Sequence, residues 1–126
     1  MSTELPQEVQ GQIAQLQQIQ QQAQVIGSQK AQIEALTREN ESALKELEKM
    51  VDDAVVYKSA GGIMVRSNKA DTLKDLKEQK EQFDMRIKTL DRQSERLQKR
   101  FDELQNSIKE HLDSTNLGIG GGPTGS

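Results

Sequence analysis

Apolar side chains recur at three- and four-residue spacing along the first part of the chain, in a pattern that fits a seven-residue repeat. The first seam position of this repeat falls on Val9, Leu16, Ala23, Lys30, Thr37, Leu44 and Val51. The second falls on Gln12, Ile19, Ile26, Ile33, Asn40 and Leu47. Such a repeat keeps one stripe of side chains facing a partner helix over many turns. We therefore predict a coiled-coil helix over residues 5–51.

A second repeat of the same kind occupies the later part of the chain. Its first seam position falls on Leu73, Lys80, Ile87, Ser94, Phe101 and Ile108. Its second falls on Leu76, Phe83, Leu90, Leu97, Leu104 and His111. We predict a second helix over residues 69–113, with the side-chain oxygens of Asn68 and Asp71 capping its start. Polar residues at seam positions lower the stability of a coiled coil but can specify its register and orientation. We interpret four of them in this way: Lys30, Asn40, Lys80 and Ser94.

Between the two helices, residues 54–67 read AVVYKSAGGIMVRS, which predicts a β-hairpin. Gly61 and Gly62 can supply the positive φ angles of a tight two-residue turn. This turn opposes Ala60 with Ile63 and Lys58 with Val65. The apolar residues then divide between two faces, Val56, Ala60, Ile63 and Val65 on one and Val55, Tyr57 and Met64 on the other.

An isolated two-stranded hairpin is marginally stable in water and leaves two strand edges unpaired. We therefore predict that hairpins from several subunits pair edge to edge and close into a β-barrel. A plain turn between helices is the weaker alternative, because a turn needs only a few residues. The predicted assembly residues are Val55, Val56, Tyr57, Gly61, Gly62, Ile63, Met64 and Val65.

The predicted fold class is thus mainly α. Two long helices form an antiparallel coiled coil, because a short hairpin between them reverses the chain direction. The central β-hairpin that joins them completes an intersubunit β-barrel. All 126 residues form a single domain, in which residues 114–126 make a flexible, glycine-rich tail.

Composition agrees with a molecule that lacks a conventional globular core, since only 2% of the residues are aromatic and 33% are hydrophobic. Charges of both signs are mixed and the net charge is −3, which disfavours a nucleic-acid partner. Residues 86–100 are basic but carry no interleaved aromatic residue, so we interpret them as a solvated face or a dock for an acidic partner. No stretch approaches the roughly 18 consecutive apolar residues of a membrane span. We expect a soluble, cytoplasmic protein that does not bind membranes.

Candidate chemistry is sparse. The chain has no cysteine, and its single histidine, His111, lies beside Glu110 and Asp113 near the end of the second helix. One imidazole without further ligands is a poor metal or catalytic constellation. The glycine-rich end follows no strand and lacks the lysine of a phosphate-binding loop. We therefore predict no catalytic residue, no cofactor and no metal site, and a protein that is not an enzyme.

Several residues of the hairpin and of the second helix resemble the β-class prefoldin family, particularly its archaeal members. They are Asp52, Asp53, Ala54, Val55, Val56, Tyr57, Lys58, Gly61, Ile63 and Val65, followed by Leu90, Arg92, Gln93 and Leu97. The resemblance covers roughly residues 5–112. It implies an ATP-independent chaperone subunit within a heterohexamer of two α and four β subunits. In that family a double β-barrel carries six coiled-coil tentacles, whose tips hold nonnative polypeptides and pass them to a group II chaperonin.

Frayed coiled-coil ends would turn apolar seam residues toward such clients. The client-binding residues expected at the tips are Leu5, Val9, Ile13, Leu16, Ile19, Phe101, Leu104, Ile108 and Leu112. For each of them ordinary seam packing is the alternative. For the whole chain, the alternative is a structural coiled-coil adaptor that oligomerises through its β-hairpin and recruits a folded partner.

Overall fold

The computed structural model of the chain describes residues 6–119, with side chains up to residue 114. Helix α1 covers Gln7–Glu48, strand β1 Val55–Ala60, strand β2 Ile63–Asn68 and helix α2 Lys69–Ile119. Two long helices with a hairpin between them were predicted, and this fold class is confirmed. The intersubunit barrel stays a prediction, because a single chain leaves it untested.

Helix α1 ends at Glu48, not at the predicted residue 51. Its last turn tightens, since the N–H of Lys49 donates to the Glu46 carbonyl at 3.2 Å and the N–H of Met50 to the Leu47 carbonyl at 3.1 Å. Such three-residue steps are typical of a helix terminus. The seven-residue repeat extends past this point, so the repeat alone placed the end too late.

Helix α2 continues to Ile119, beyond the predicted end at residue 113. Neither glycine nor proline interrupts residues 69–117, so no local feature stops the helix earlier. The helix therefore includes the first residues of the segment predicted as a tail, 114–126. Residues 120–126 of that segment lie outside the described part of the chain.

The predicted seam is the buried stripe of both helices. Among the described residues, the buried apolar side chains all occupy seam positions: Val9, Ile19, Ile33, Leu47, Leu90 and Leu104. The polar seam residue Asn40 is buried as well, with 5% of its surface exposed. Ala23 and Ser94, also at seam positions, are exposed. The seven-residue period therefore identifies the buried face of each helix. The small residues on that face nevertheless remain exposed to solvent.

The chain divides into two compact units. We call residues 28–91 the hairpin unit, and the described residues before and after it, 6–27 and 92–119, the terminal unit. In the hairpin unit the helix segments are antiparallel, because Lys30 meets Asp91 and Asn40 meets Leu76.

The terminal unit is antiparallel too. The Gln12 amide donates to the Ser107 hydroxyl at 2.7 Å, and the Arg100 guanidinium donates to the Gln15 side-chain carbonyl at 3.3 Å. As the residue number rises along α1, the number of the contacting residue on α2 therefore falls. Each unit by itself has the predicted pairing direction.

The start of α2 is capped by Asn68, one of the two residues predicted for this role. The Asn68 side-chain carbonyl accepts a hydrogen bond from the Asp71 N–H at 2.8 Å, and the Asn68 amide donates to the Asp71 carboxylate at 3.0 Å. These reciprocal bonds satisfy a backbone donor that the helix leaves unpaired. Since Asn68 is also the last residue of β2, the strand passes into the helix without a linker.

Candidate functional site

The hairpin has the register that the sequence predicts. Ala60 pairs with Ile63 and Lys58 with Val65 in an antiparallel ladder. Gly61 and Gly62 have φ values of 55° and 84°, the left-handed conformation that a two-residue turn of this kind demands. Any other residue would be strained at these two positions, so the glycine pair fixes the turn and with it the register.

Both faces of this hairpin expose apolar side chains. Tyr57 and Met64 on one face and Ile63 on the other are each more than half exposed. Val55 and Val65 are also exposed, whereas Val56 is half-buried. The described sheet has only these two strands, so neither outer edge is paired within it. Apolar faces and open edges together form a surface suited to further strands.

One face of the hairpin is joined to α2 by polar contacts. The Lys58 ammonium meets the Asp75 carboxylate at 2.7 Å, and the Thr72 and Ser67 hydroxyls lie 3.2 Å apart. Thr72 is buried. The sequence pattern did not identify these contacts, because Lys58 and Asp75 are 17 residues apart and no local rule pairs them. They hold the strands against the start of the helix.

The predicted client-binding residues lie in the terminal unit, apart from Leu5, which falls outside the described residues. Three of them are buried in the seam, Val9, Ile19 and Leu104. The others are half-buried: Ile13, Leu16, Phe101, Ile108 and Leu112. The structure therefore brings these side chains together along one helix pair, and client contact would require the pair to open.

Polar contacts accompany this apolar seam. The His111 imidazole nitrogen Nε2 lies 2.9 Å from the Glu8 carboxylate, and the Gln12–Ser107 hydrogen bond lies nearby in the chain. Sequence reasoning placed His111 at the surface or in the seam beside its neighbours Glu110 and Asp113. It missed Glu8, which is distant in sequence and reaches His111 only through helix pairing.

A groove on the terminal unit went unnoticed at the sequence level. It encloses about 670 Å³ between Val25, Ile26 and Leu97 on its apolar side and four glutamines and Arg96 around them. Val25 is 56% exposed. A second, smaller opening of about 210 Å³ is lined by Ala23 and Ser94. For the smaller opening the sequence did contain a signal, because these small residues at seam positions cannot fill the space between two helices.

The hairpin unit contains two polar seam contacts. Asn40 donates to the Leu76 carbonyl at 3.0 Å and to the Gln79 side-chain carbonyl at 3.3 Å. The Lys30 ammonium lies 2.7 Å from the Asp91 carboxylate. By accepting a hydrogen bond and by its charge, Asp91 raises the pKa of Lys30 above its ordinary value. These directional contacts support the predicted role of both residues in fixing register.

Residues 6–119 contain neither a candidate metal site nor a candidate membrane-spanning helix. In that range no three His, Cys, Asp or Glu side chains are arranged to hold a metal ion. Nor does any helix there combine the length and the apolar content needed to cross a bilayer. The surfaces that stand out are the uncovered hairpin and the partly open helix pair.

Comparison with known proteins identifies the family that shares these features. Residues 10–115, more than half of the chain, match the family model described as prefoldin subunit. This chain belongs to the prefoldin subunit family. A prefoldin subunit beta of Methanothrix thermoacetophila is 53% identical over 112 residues, which cover 89% of this chain and 93% of the relative. The prefoldin subunit beta of Archaeoglobus fulgidus is 50% identical, over 86% of this chain and 94% of the relative.

A solved structure agrees with the sequence relatives. The crystal structure of the prefoldin beta subunit from Thermococcus strain KS-1 superposes with a TM-score of 0.81 and 35% sequence identity. The match covers 88% of this chain and 97% of that one. Prefoldin subunits are non-enzymatic chaperone subunits that assemble with other prefoldin subunits. The resemblance predicted from the hairpin residues is thereby confirmed.

Proposed function

We propose that this prefoldin subunit is part of an ATP-independent holdase that binds nonnative polypeptides at the ends of its helix pair and delivers them to a group II chaperonin. Its partners in this proposal are prefoldin α subunits and other β subunits, in a heterohexamer of two α and four β chains. The proposed location is the cytoplasm. Assembly takes place through the hairpin, with the strands of neighbouring subunits closing a β-barrel.

The observation that carries the client-binding proposal is the incomplete cover of the apolar seam in the terminal unit. Ile13, Leu16, Phe101, Ile108 and Leu112 are half-buried, because only two helices are available to cover them. A modest opening of this pair would turn their apolar surface outward. Local opening of this kind is the ordinary behaviour of helix ends with few buried contacts.

The surroundings of this seam favour clients of diverse sequence. Between residues 7 and 27, α1 carries one charged residue, Glu8, among many glutamines. Neutral amides can hydrogen-bond to an extended backbone but do not repel either sign of charge. A surface of this kind selects for exposed apolar side chains instead of a particular charge pattern.

The energetics favour weak binding at each helix pair and stronger holding by the whole assembly. Full burial of one Leu or Ile side chain contributes about 1.5–3 kcal/mol. A few such contacts, after the cost of ordering the client is subtracted, give only a low affinity. A client therefore dissociates rapidly from one subunit. Several helix pairs fixed to one body raise the effective concentration for a client that reaches more than one. Holding and handover then need no nucleotide.

The client-binding proposal is tested by aggregation of chemically unfolded clients in the absence of ATP. We compare the wild-type assembly with the double variant Ile13→Gln and Ile108→Gln, which replaces half-buried apolar surface in the terminal unit. The matched control is Met85→Gln, which removes a similar side chain that is 67% exposed in the hairpin unit. The double variant should protect clients several-fold less well, whereas the control should protect like the wild type.

Equal protection by the double variant would contradict client binding at the helix ends. A wild-type assembly that ignores every unfolded client would favour the coiled-coil adaptor instead. Delivery is tested separately, by adding a group II chaperonin and ATP to the loaded assembly and measuring the yield of refolded client. A yield no greater than that of spontaneous release would remove the delivery step from the proposal.

The assembly proposal has its own test. Glutamates in place of Val56, Ile63 and Val65 introduce charge on one face of the hairpin, where a barrel would bury it. We expect the complex to dissociate while the helix signal in circular dichroism remains. An unchanged mass by light scattering would contradict the barrel.

A further inference from the structure

The end of α1 lacks the usual residues that stop a helix. After Glu48 the chain reads KMVDDAVV, with no glycine or asparagine to take the left-handed cap conformation. Within residues 6–119, positive φ values are confined to Gly61 and Gly62. The Glu46 and Leu47 carbonyls already accept from the N–H groups of Lys49 and Met50, so a further donor is needed chiefly at the Glu48 carbonyl and just beyond it.

That donor comes from the start of the other helix. The Lys69 ammonium donates to the Met50 carbonyl at 2.7 Å and to the Glu48 carbonyl at 3.5 Å. It also lies 3.5 Å from the Asp52 carboxylate. Only 14% of the Lys69 side chain is exposed, compared with 73% for Lys49 in its pair with Glu46. The ammonium is thus shielded and held by backbone oxygens.

The position of Lys69 in its own helix makes this arrangement more informative. Lys69 is the first residue of α2, and a cation at a helix N-terminus opposes the helix dipole. The same cation is favourable at a helix C-terminus, where partial negative charge collects on the free carbonyls. The contact with the end of α1 therefore explains a lysine that the local helix would disfavour.

The two connections to the hairpin differ in length. Strand β2 ends at Asn68 and α2 begins at Lys69, so the hairpin leads into α2 without a linker. The connection from α1 to β1 runs over residues 49–54 and contains an internal hydrogen bond from the Ala54 N–H to the Val51 carbonyl at 3.1 Å. Lys69 fastens this longer connection to the rigid junction.

We propose that Lys69 is a positioning residue for assembly, which caps α1 from the first turn of α2 and so holds the base of the hairpin in one orientation. The exposed strands are then presented to neighbouring subunits at a fixed angle to both helices of the hairpin unit. The inference rests on the hairpin-mediated assembly proposed above. The Lys58–Asp75 pair assists from the strand side, but both of its side chains are nearly half exposed and are screened by salt.

The test uses the full-length chain with Lys69→Met, which keeps the aliphatic stem and removes the ammonium. Lys77→Met is the matched control, since it makes the same change at an exposed position of α2. Amide hydrogen exchange of the isolated chain reports on residues 49–54, where Lys69→Met should exchange about tenfold faster. Light scattering over a concentration series with a prefoldin α subunit present reports on assembly, whose midpoint should move to about tenfold higher concentration.

Lys69→Arg and Asp52→Asn complete the design. Lys69→Arg retains a cationic donor and should recover most of the wild-type midpoint. Asp52→Asn should change either readout about twofold or less, because the Asp52 carboxylate is fully exposed and the Met50 carbonyl provides the closest contact of the ammonium. If Lys69→Met proves poorly folded, the assembly midpoints of Asp52→Asn and Lys69→Arg still test the proposal. Both midpoints should then stay close to that of the wild type.

Two results would overturn the proposal. Wild-type exchange at residues 49–54 in Lys69→Met would remove the cap. Faster exchange with an unchanged assembly midpoint would reduce Lys69 to a local stabiliser of the α1 end and remove its positioning role. If even the wild-type chain forms no complex with a prefoldin α subunit, the proposed assembly fails and the positioning role fails with it, whereas the exchange result still judges the cap.

Discussion

The hairpin unit and the terminal unit are both built from paired stretches of α1 and α2, and polar contacts lie along both seams, but the terminal unit also has small side chains at seam positions. In the hairpin unit, Asn40 and the Lys30–Asp91 pair contact partners that only one alignment of the helices provides. In the terminal unit, the small side chains of Ala23 and Ser94 at seam positions line the opening of about 210 Å³, and the groove at Val25, Ile26 and Leu97 lies in the same unit.

This difference separates two requirements on a helix pair. A pair that carries an assembly element needs a unique register, which buried directional contacts supply at some cost in stability. A pair that is proposed to open toward clients needs apolar residues with less complete packing, which small seam residues supply. The same seven-residue repeat can meet both requirements, because the residues at a few seam positions decide which of the two a helix pair fulfils.

The largest expected effect comes from matched leucine truncations in α2. Leu90 and Leu97 occupy the same heptad position, but Leu90 is 4% exposed in the hairpin unit while Leu97 is half-buried beside the groove. Leu90→Ala should lower the free energy of unfolding by about 2–5 kcal/mol and Leu97→Ala by about 1–2 kcal/mol. Chemical denaturation followed by circular dichroism, at equal protomer concentration, measures both.

Leu36→Ala is the control for this pair, because Leu36 is 46% exposed and its truncation should cost less than either. Equal losses for Leu90→Ala and Leu97→Ala would mean that the two units are packed alike. The comparison between them would then be wrong.

A second variant should make the terminal unit resemble the hairpin unit. Ser94→Leu places a large apolar side chain at an exposed seam position and should raise the free energy of unfolding by about 1 kcal/mol. Because a tighter seam opens less often, the same variant should protect unfolded clients less well. Greater stability with weaker client protection is a combination that structural damage would not produce.

Ser28→Leu makes the same substitution at an exposed helix position outside the seam, so it corrects for the better helix propensity of leucine. It should leave client protection unchanged. If Ser94→Leu instead lowers stability, the space beside Ser94 is not available to a side chain and the open-seam interpretation fails.

A feature of this fold can be predicted from the sequence when the residues that determine it are close together in the chain. The buried stripe and the hairpin register were predicted correctly, because helix periodicity and the Gly61–Gly62 turn are local properties of the chain. The smaller opening was also within reach, since Ala23 and Ser94, which line it, are visibly small at seam positions. It was missed because the repeat was counted by position and not by volume.

The remaining features depend on residues that are distant in the sequence. His111 meets Glu8, Lys58 meets Asp75, and Lys69 caps the end of α1 only after the helices and strands have formed. One sequence contains many lysines and carboxylates, and no local rule selects the pairs. The helix ends were displaced for a related reason, since the repeat continues past Glu48 and the lack of a helix breaker extends α2 to Ile119.

Asn40 offers the next test of the comparison. Its side-chain oxygen Oδ1 has no hydrogen-bond partner among the described residues, although its amide is well placed. Asn40→Leu should therefore raise the free energy of unfolding by about 1 kcal/mol while weakening the preference for one register. Asn106→Leu is the matched control at an exposed position. Amide NMR of the isolated chain should show additional sets of signals for Asn40→Leu, and a single set would contradict its role in register.

The smallest expected effect concerns the Lys30–Asp91 pair, whose side chains are 37% and 44% exposed and are therefore screened by solvent. Asp91 raises the pKa of Lys30 above the ordinary 10.5 in the folded chain, so folding favours the protonated amine. The contribution of the pair is then complete below pH 10.5 and is lost as the pH rises through the raised pKa. Paired denaturation curves of the wild type and Asp91→Asn should differ by a constant amount around neutral pH and converge only in strong alkali.

Asp84→Asn, at an exposed position of the same helix, supplies the baseline for the general loss of stability in alkali. Added salt should also narrow the difference between the wild type and Asp91→Asn, because the pair is partly open to solvent. A difference that vanished well below pH 10.5 would mean that the Lys30 amine is not the titrating group. The register of the hairpin unit would then rest on Asn40 alone, and the contrast with the terminal unit would rest on that buried amide and on the small seam residues Ala23 and Ser94.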